Sequence, residues 1–131
     1  MASSKLSIVV VTTLTVACMH FSTMMAATSY LVGGAKGWHL PSKRNFYEEW
    51  AKGKKFIKGD KFFFIFKENE HSVAFVDRQE DFDKCNVTAA KNVDKWGGAV
   101  SWILNEVEKF YFICTFHCAK GQKVIIDIKA S

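Results

Sequence analysis

The sequence predicts an all-β fold: an antiparallel β-sandwich of two sheets with one or two short helices. Short apolar runs recur between residues 30 and 129, and most of them are bounded by glycine or by charged residues. Their length and their content of Phe, Val and Ile are typical of strands. A single proline, no internal repeat and little helical periodicity agree with one all-β domain.

Residues 1–27 precede this domain and are interpreted as a secretory signal peptide. Lys5 stands before an apolar run over residues 6–17, and small residues follow at positions 26 and 27. We expect cleavage after Ala27, with cleavage after Ala26 or after Ser29 as alternatives. Residues 28–131 then form one secreted, extracellular domain, whose length suits a single core.

The first elements of the domain are a short strand and a short helix. The first strand is predicted over residues 30–33, where the pair Gly33-Gly34 ends it. Residues 45–51 (NFYEEWA) predict a helical turn. Asn45 is expected to cap this helix, and Glu48, three residues later, would complete a capping box.

The central strands are predicted over residues 61–67 and 71–77. The first (KFFFIFK) is a continuous apolar run between lysines, which favours a strand at the core of the sandwich. The second (HSVAFVD) alternates, so its residues divide between two faces. Residues 81–95 are polar and predict an irregular segment, in which Asn86-Val87-Thr88 is a candidate glycosylation site.

Three further strands are predicted over residues 100–104, 110–116 and 123–129. In the last (KVIIDIK), every second residue is apolar, so these side chains share one face. No stretch after the signal is long and apolar enough to form a transmembrane span. No hydrophobic tail follows a polar spacer, so a glycolipid anchor is not expected. We expect a soluble monomer outside the cell.

The charge balance is modestly basic. Eighteen Lys and Arg residues against 13 Asp and Glu residues give a net charge of +5, and loss of Lys5 with the signal leaves +4. The chain shows no nucleic-acid motif, and secretion argues against nucleic-acid binding. The excess favours weak attraction to an anionic cell-wall polysaccharide or to an acidic redox partner, whose identity the sequence leaves open.

Three cysteines remain once Cys18 leaves with the signal: Cys85, Cys114 and Cys118. An odd number in an oxidising compartment predicts one disulfide and one further thiol, and all three pairings stay open. An exposed free thiol outside the cell is prone to oxidation, whereas a metal-bound thiolate is protected. The third cysteine is therefore a candidate metal ligand.

A candidate copper ligand set surrounds the last two cysteines. Cys114, His117 and Gln122 lie within nine residues, and His71 stands at the start of a predicted strand upstream. A thiolate, two imidazoles and a weak axial ligand form a blue-copper centre, which cycles between Cu(I) and Cu(II). His39, the remaining histidine of the domain, is interpreted as a loop residue.

Other interpretations of these residues are weaker. A zinc site would use the three cysteines and His117, yet structural zinc ligands come in close pairs and Cys85 stands alone. A Cys114–His117 catalytic dyad lacks any sign of an activated pair. Ser72 and Ser101 lack the context of a nucleophile elbow. No catalytic residue is assigned, and an enzyme is not expected.

An ordered series of motifs runs along the whole domain. It comprises Tyr30-Leu-Val-Gly-Gly, Gly37-Trp38, Tyr47-x-x-Trp50-Ala51, Lys55-Phe-Ile-Lys-Gly-Asp60, His71-Ser-Val73, Cys85-Asn86, Tyr111-Phe-Ile-Cys114 and His117-Cys118-x-x-Gly121-Gln122-Lys123. With this series, residues 29–130 resemble the phytocyanins, the plant branch of the cupredoxins. The lack of a Pro/Ser-rich stalk makes the chain similar to the short secreted members, the stellacyanins and plantacyanins.

The resemblance implies a cupredoxin-like Greek-key sandwich that holds one copper ion. It implies His71, Cys114 and His117 as equatorial ligands, and Gln122 as the axial ligand, as in the stellacyanins. A glutamine oxygen is a harder donor than a thioether, which favours Cu(II) and lowers the reduction potential. The resemblance also implies a disulfide between Cys85 and Cys118.

One spacing departs from the phytocyanin pattern. In that family four residues normally separate the Cys and His ligands, and here only Thr115 and Phe116 do so. The plastocyanins carry a two-residue spacer, and their fold closes around copper. The leading hypothesis is a secreted single-electron carrier. The alternative is a copper-free cupredoxin domain that acts as an extracellular or cell-wall interaction module.

Overall fold

The computed structural model describes residues 26–131, so the predicted signal peptide over residues 1–27 lies almost entirely outside the described residues. Within residues 26–131 the strands are β1 (Ser29–Leu31), β2 (Phe56–Ile57), β3 (Lys61–Ile65), β4 (Val73–Val76), β5 (Lys91–Asp94), β6 (Ala99–Ile103), β7 (Lys109–Ile113) and β8 (Lys123–Lys129). The helices of this range are α1 (Phe46–Ala51) and α2 (Gln79–Asp83), and 3₁₀ turns lie at Gly34–Lys36, Val87–Ala89 and Cys118–Lys120. None of these helices has the length and apolar character that a membrane crossing requires.

The strands form the two sheets of a sandwich, as the sequence predicts. One sheet has the strand order β1-β3-β6, and the other has the order β2-β8-β7-β4-β5. Two pairings, β1 with β3 and β2 with β8, are parallel. Both sheets therefore contain a parallel pair, whereas the sequence predicts antiparallel sheets. Parallel neighbours need a long crossover connection, and an apolar run in the sequence does not show which way its partner runs.

Side-chain alternation decides which residues of a strand enter the core. In β3, Phe62 and Phe64 are fully buried, whereas Ile65 is half exposed. The apolar run over residues 61–67 is therefore a one-sided strand, because the outer face of its sheet meets solvent and not another layer. β8 spans the predicted residues 123–129 and alternates in the same way.

The prediction of an irregular segment over residues 81–95 is wrong. Helix α2 enters this segment and β5 lies within it. β5 pairs with β4 in an antiparallel manner, and Phe82 of α2 packs against Tyr111 with ring centroids 5.5 Å apart. Both elements depend on partners that are distant in sequence, which the polar local composition does not reveal.

Helix α1 begins at Phe46, close to the predicted start, but the predicted capping box does not form. Asn45 occupies the N-cap position, and its side chain makes no capping hydrogen bond. The backbone carbonyl of Asn45 instead accepts the N–H of Glu49 at 2.9 Å. Tyr47 is buried, and its hydroxyl donates to the carbonyl of His39 at 2.7 Å, which ties α1 to the preceding loop.

Buried apolar side chains form two groups. The interlayer core lies between the sheets and comprises Val32, Trp38, Tyr47, Phe56, Phe62, Phe64, Phe66, Val73, Leu104, Phe112, Cys114, Val124, Ile126 and Ile128. The outer cluster lies on the other face of the five-stranded sheet, against α2, and comprises Ala74, Val76, Phe82, Ile113 and Cys118. Strand β7 contributes to both groups, because its side chains alternate between the two faces.

Candidate metal centre

The four predicted copper ligands meet at one end of the sandwich. His71 lies shortly before β4, Cys114 directly follows β7, and Gln122 directly precedes β8. These strand ends adjoin because β7 pairs antiparallel with both β4 and β8. The N–H of Cys114 donates to the carbonyl of Gln122 at 2.9 Å, which extends the β7–β8 ladder beyond the strands. His117 occupies the turn between them.

The nitrogen and sulfur donors converge on one point. The Nδ1 atoms of His71 and His117 are 3.3 Å apart, and Sγ of Cys114 is 3.8 Å from Nδ1 of His117. All three donor atoms lie within 4.8 Å of one another. Two donors bonded to one transition-metal ion at about 2.0–2.3 Å stand about 3–4 Å apart, and the separations of 3.3 and 3.8 Å lie in this range. The soft thiolate with two imidazoles fits copper.

Gln122 turns its amide oxygen toward the same point. Its Oε1 lies 3.2 Å from Nδ1 of His117, and the side chain is fully buried. Its Nε2 has no hydrogen-bond partner among residues 26–131. Leaving a buried amide partly unpaired costs about 1–3 kcal/mol. The nitrogen bears that cost, whereas the oxygen faces the other donors, so Gln122 fits the role of a fourth ligand to an ion held there.

The sulfur of Cys114 is buried and is oriented by Ser72. The backbone N–H of Ser72 donates to Sγ at 3.4 Å, and the Ser72 hydroxyl lies 3.9 Å from it. The same hydroxyl accepts the N–H of Thr115 at 2.8 Å and contacts the Thr115 hydroxyl at 2.7 Å. Hydrogen bonds around a metal ligand fix its orientation and tune the metal.

Sequence reasoning missed the roles of Ser72 and Trp38 at this centre. Nε1 of Trp38 donates to the carbonyl of Ser72 at 2.8 Å, and the Trp38 ring packs edge-on against Phe64. The sequence offers Ser72 only as a candidate nucleophile and indicates no role for Trp38. The one local signal was the position of Ser72 next to His71, but its contact with Cys114 depends on the pairing of β4 with β7.

Both histidines keep part of their rings at the surface. His71 and His117 are half-buried, and their ring centroids are 5.1 Å apart. Burial, and after it the neighbouring His117, lowers the pKa of His71, although Gln122 and Glu70 partly oppose the shift. His71 is therefore neutral at pH 7, which is the form that binds a metal.

The two-residue spacer brings His117 to the other donors. The N–H of Cys118 donates to the carbonyl of Cys114 at 2.9 Å, and the N–H of Gln122 donates to the carbonyl of His117 at 3.2 Å. These bonds close the loop tightly on itself. With only two residues in the spacer, the His117 imidazole still faces Cys114, with Nδ1 3.8 Å from Sγ.

A disulfide joins Cys85 to Cys118, with their Cα atoms 5.7 Å apart, and Cys114 is a buried free cysteine. This is the pairing that the resemblance implied. It links the chain after α2 to the turn that carries His117. The zinc alternative loses two of its ligands, because zinc binds thiolates and a disulfide has none.

Two other residues singled out in the sequence lie away from the centre. The Nδ1 atom of His39 faces the Gly37 carbonyl at 3.0 Å and the Tyr47 hydroxyl at 3.3 Å, which suits a loop histidine. Asn86 is exposed, and its Nδ2 donates to Asp81 at 3.0 Å. Glycosylation of Asn86 stays a prediction.

Known proteins are similar to this chain in sequence and in architecture. The family profile of the plastocyanin-like domain matches residues 38–122. The cucumber peeling cupredoxin of Cucumis sativus is 38% identical over 107 residues, which span 80% of this chain and 78% of that protein. Early nodulin-like protein 9 of Arabidopsis thaliana is 35% identical over 108 residues, or 79% of this chain, and the match spans only 51% of that protein.

A solved structure agrees with the sequence relatives. The structure of cucumber stellacyanin, described with Cu²⁺ at pH 7.0, matches this chain with a TM-score of 0.76 and 38% identity. The match covers 82% of this chain and 99% of that one. This likeness confirms the predicted fold class.

Proposed function

This chain is a phytocyanin, a member of the plastocyanin-like domain family, and we propose that it is a secreted type 1 copper protein that carries single electrons. The proposal depends above all on the convergence of the free, buried Cys114 and two imidazoles: the Nδ1 atoms of His71 and His117 are 3.3 Å apart, and Sγ of Cys114 is 3.8 Å from Nδ1 of His117. His71, Cys114 and His117 would hold the copper, and Gln122 would be its axial ligand. The copper would supply reversible one-electron chemistry between Cu(I) and Cu(II).

Packing, hydrogen bonds and a disulfide hold these donors in place. Cys114 is fully buried beside Ser72, whose hydroxyl and backbone N–H both face its sulfur. The turn that carries His117 is fixed by the disulfide at Cys118. Ligands supported by packing and by outer hydrogen bonds keep their geometry, and a carrier that changes oxidation state needs ligands that move little.

His117 offers a route for electrons between the site and the surface. Its ring is half-buried, and the half-exposed Phe116 stands beside it with ring centroids 6.3 Å apart. A small apolar rim suits the limited contact of a short-lived redox encounter. Outer-sphere transfer would therefore pass through the His117 ring to a redox partner whose identity stays open.

Titration of the purified copper-free protein with Cu(II) tests the proposal. We expect one copper per chain and an intense absorption band in the orange-red region, from charge transfer between the Cys114 thiolate and copper. Cys114→Ser should abolish the band, because an alcohol oxygen does not replace a thiolate. His71→Ala should abolish it too, whereas His39→Ala, a histidine outside the site, should keep it. A native protein that stays colourless and takes up no copper would contradict the proposal.

Gln122 provides a second test through the reduction potential. Replacing the hard amide oxygen by a thioether in Gln122→Met should stabilise Cu(I) and raise the potential. Voltammetry of the loaded native protein and of the variant measures the difference. The charge-transfer band should persist in the variant, because the thiolate and both imidazoles remain. An unchanged potential would remove Gln122 from the ligand set.

The second candidate function is a copper-free cupredoxin domain that acts as an extracellular interaction module. The observation that favours it is the spacer of Thr115 and Phe116, which is shorter than the usual phytocyanin spacer. The same titration separates the two functions, because a copper-free module shows no band in any variant.

We also propose the setting in which the protein works. Residues 28–131 would act outside the cell as a monomer, after removal of the signal peptide. Their net charge of +4, which is the +5 of the whole chain without Lys5, suits weak attraction to an anionic wall polysaccharide. Gel filtration and co-sedimentation with a polyuronate at low and high salt measure both properties.

A further inference from the structure

A buried carboxylate without a charged partner lies at the end of the molecule where β1 begins and β2 ends. Asp60 is fully buried, and no ion pair of residues 26–131 includes it. One oxygen accepts the N–H of Ile57 at 2.9 Å, and the other accepts the N–H of Thr28 at 2.8 Å. Two neutral donors only partly offset the cost of burying a carboxylate, which normally requires a cation.

The lysines next to Asp60 in the sequence do not supply that cation. Lys58 is exposed, and Nζ of Lys61 lies over the ring of Phe63, 4.8 Å from its centroid. Neither forms an ion pair with Asp60 among the described residues. The remaining donor that could become charged is the backbone nitrogen of Thr28, because a chain that begins at Thr28 carries an ammonium group there.

The position of Thr28 is fixed by the sheet. Its carbonyl accepts the N–H of Lys61 at 2.9 Å, just before the parallel pairing of β1 with β3 starts at Ser29. Ala26 and Ala27, which precede Thr28, are exposed. A protease therefore has access to the bond before Thr28, while the nitrogen after that bond is held against Asp60.

We infer that the chain is processed between Ala27 and Thr28, and that the new ammonium group of Thr28 forms a partly buried ion pair with Asp60. A secretory signal peptidase would catalyse hydrolysis of the peptide bond by water, which leaves a carboxylate on Ala27 and an ammonium on Thr28. The nitrogen already stands 2.8 Å from Oδ1 of Asp60, so the ion pair needs no rearrangement.

The structure thereby separates the three cleavage positions that the sequence leaves open. Cleavage after Ala26 keeps the Thr28 nitrogen as a neutral amide and places the ammonium one residue farther away. Cleavage after Ser29 removes the donor to Asp60, the acceptor of Lys61 and the first residue of β1. Cleavage after Ala27 alone places a cation next to Asp60.

The first experiment determines where processing occurs. The full chain is expressed in a secreting plant cell, and the N-terminus of the secreted protein is read by intact mass and by N-terminal sequencing. We expect the protein to begin at Thr28. A secreted protein that begins at Ala27 or at Tyr30 would overturn the inference.

The second experiment tests the ion pair with four proteins in the same copper state. The domain, which includes both sheets and ends at Ser131, is prepared with a start at Thr28 or at Ala27, each with Asp60 or with Asp60→Asn. We expect the start at Thr28 to raise Tm by about 4–8 °C over the start at Ala27, which corresponds to about 1 kcal/mol for a domain of this size. With Asp60→Asn, the two starts should melt together.

Equal Tm values for the two starts would overturn the ion pair. A Tm difference between the starts that is as large with Asp60→Asn as with Asp60 would overturn it too. Should Asp60→Asn fail to fold, N-terminal acetylation of the protein that begins at Thr28 decides the matter. Acetylation removes the charge and keeps every side chain, so it should lower Tm by the same amount. An acetylated protein as stable as the free amine would refute the inference.

Discussion

The interlayer core and the outer cluster each contain one of the two cysteines that flank the loop at the metal centre, in different chemical states. Cys114 is a free cysteine within the interlayer core, whereas Cys118 belongs to the outer cluster and forms a disulfide with Cys85. The large core, with side chains from both sheets, holds a single thiol by packing. The small cluster, on one face of one sheet, is covalently linked to the chain beyond α2.

Strand alternation accounts for this division. Phe112 and Ile113 of β7 point to opposite faces, so the residue two after Phe112 enters the interlayer core. Cys114 is that residue, and its sulfur therefore lies between the sheets, close to His71. A shift of one residue in register would turn the sulfur to the outer face and separate it from both imidazoles.

The largest effect should come from a cavity in the interlayer core. Phe64 is fully buried and packs between Trp38 and Phe112, with ring centroids 5.0 Å away on both sides. Phe64→Ala should reduce the free energy of unfolding by about 3–5 kcal/mol, as measured by urea denaturation. The neighbouring Ile65→Ala, at a half-exposed position, is the control and should cost much less. Equal losses would show that the core boundary is misplaced.

Removal of the disulfide should have the next largest effect. The double variant Cys85→Ala/Cys118→Ala releases a link across 33 residues of sequence, which should cost about 2–4 kcal/mol in the copper-free protein. A reductant should destabilise the native protein by a similar amount and leave the variant unchanged. The charge-transfer band with copper should survive in the variant, because packing in the interlayer core still holds Cys114 and the backbone hydrogen bonds of the loop still hold His117. Loss of the band would show that the disulfide is needed to position Cys114 or His117.

A cavity in the outer cluster should cost less than one in the interlayer core. Phe82 is buried against Tyr111, and Nζ of Lys123 lies 4.5 Å from its ring centroid. Phe82→Ala should reduce the free energy of unfolding by about 2–3 kcal/mol. Val87→Ala, at an exposed position nearby in sequence, serves as the control with an expected effect within about 0.5 kcal/mol. A loss as large as that of Phe64→Ala would erase the distinction between the two groups.

The smallest effect should be on the pH dependence of stability, through Asp81 of α2, the helix that packs on the outer cluster. Hydrogen bonds from Arg78, and after them from Asn86, lower the pKa of Asp81 below its ordinary value. The native state thus favours the ionised carboxylate, so its contribution is complete above about pH 4 and is lost as pH falls through the lowered pKa. Asp81→Asn should flatten the decline of stability as pH falls below about 4, measured by thermal melts. An identical pH profile in the native protein and the variant would disprove the coupling.

Much of the fold was predictable because it depends on local patterns. The alternation over residues 123–129 predicts β8 to the residue, and the helix at Phe46 begins where its pattern indicates. The same local patterns gave a wrong prediction for residues 81–95. There α2 is stabilised by Tyr111 and β5 by strand β4, which lie elsewhere in the chain. The apolar run of β3 indicated a strand but did not show that one face stays open to solvent.

The candidate site was predictable in its donors and not in their surroundings. A thiolate, imidazoles and an amide oxygen within a short segment indicate copper by their chemistry alone. The N–H of Ser72 at the sulfur, the bond from Trp38 and the unpaired amide nitrogen of Gln122 all arise from strand pairing and burial. No local pattern contains that information.

The sequence by itself determined which atoms could bind a metal, where most strands lie and which family the chain resembles, because residue chemistry and strand periodicity act over a few neighbouring positions. Only the tertiary structure decided that the sulfur of Cys114 and two imidazoles share one point, that Cys118 pairs with Cys85, and that Asp60 is buried against the nitrogen of Thr28. Each of these contacts joins residues from separate strands, loops or helices, so it exists only once the sheets have paired and packed.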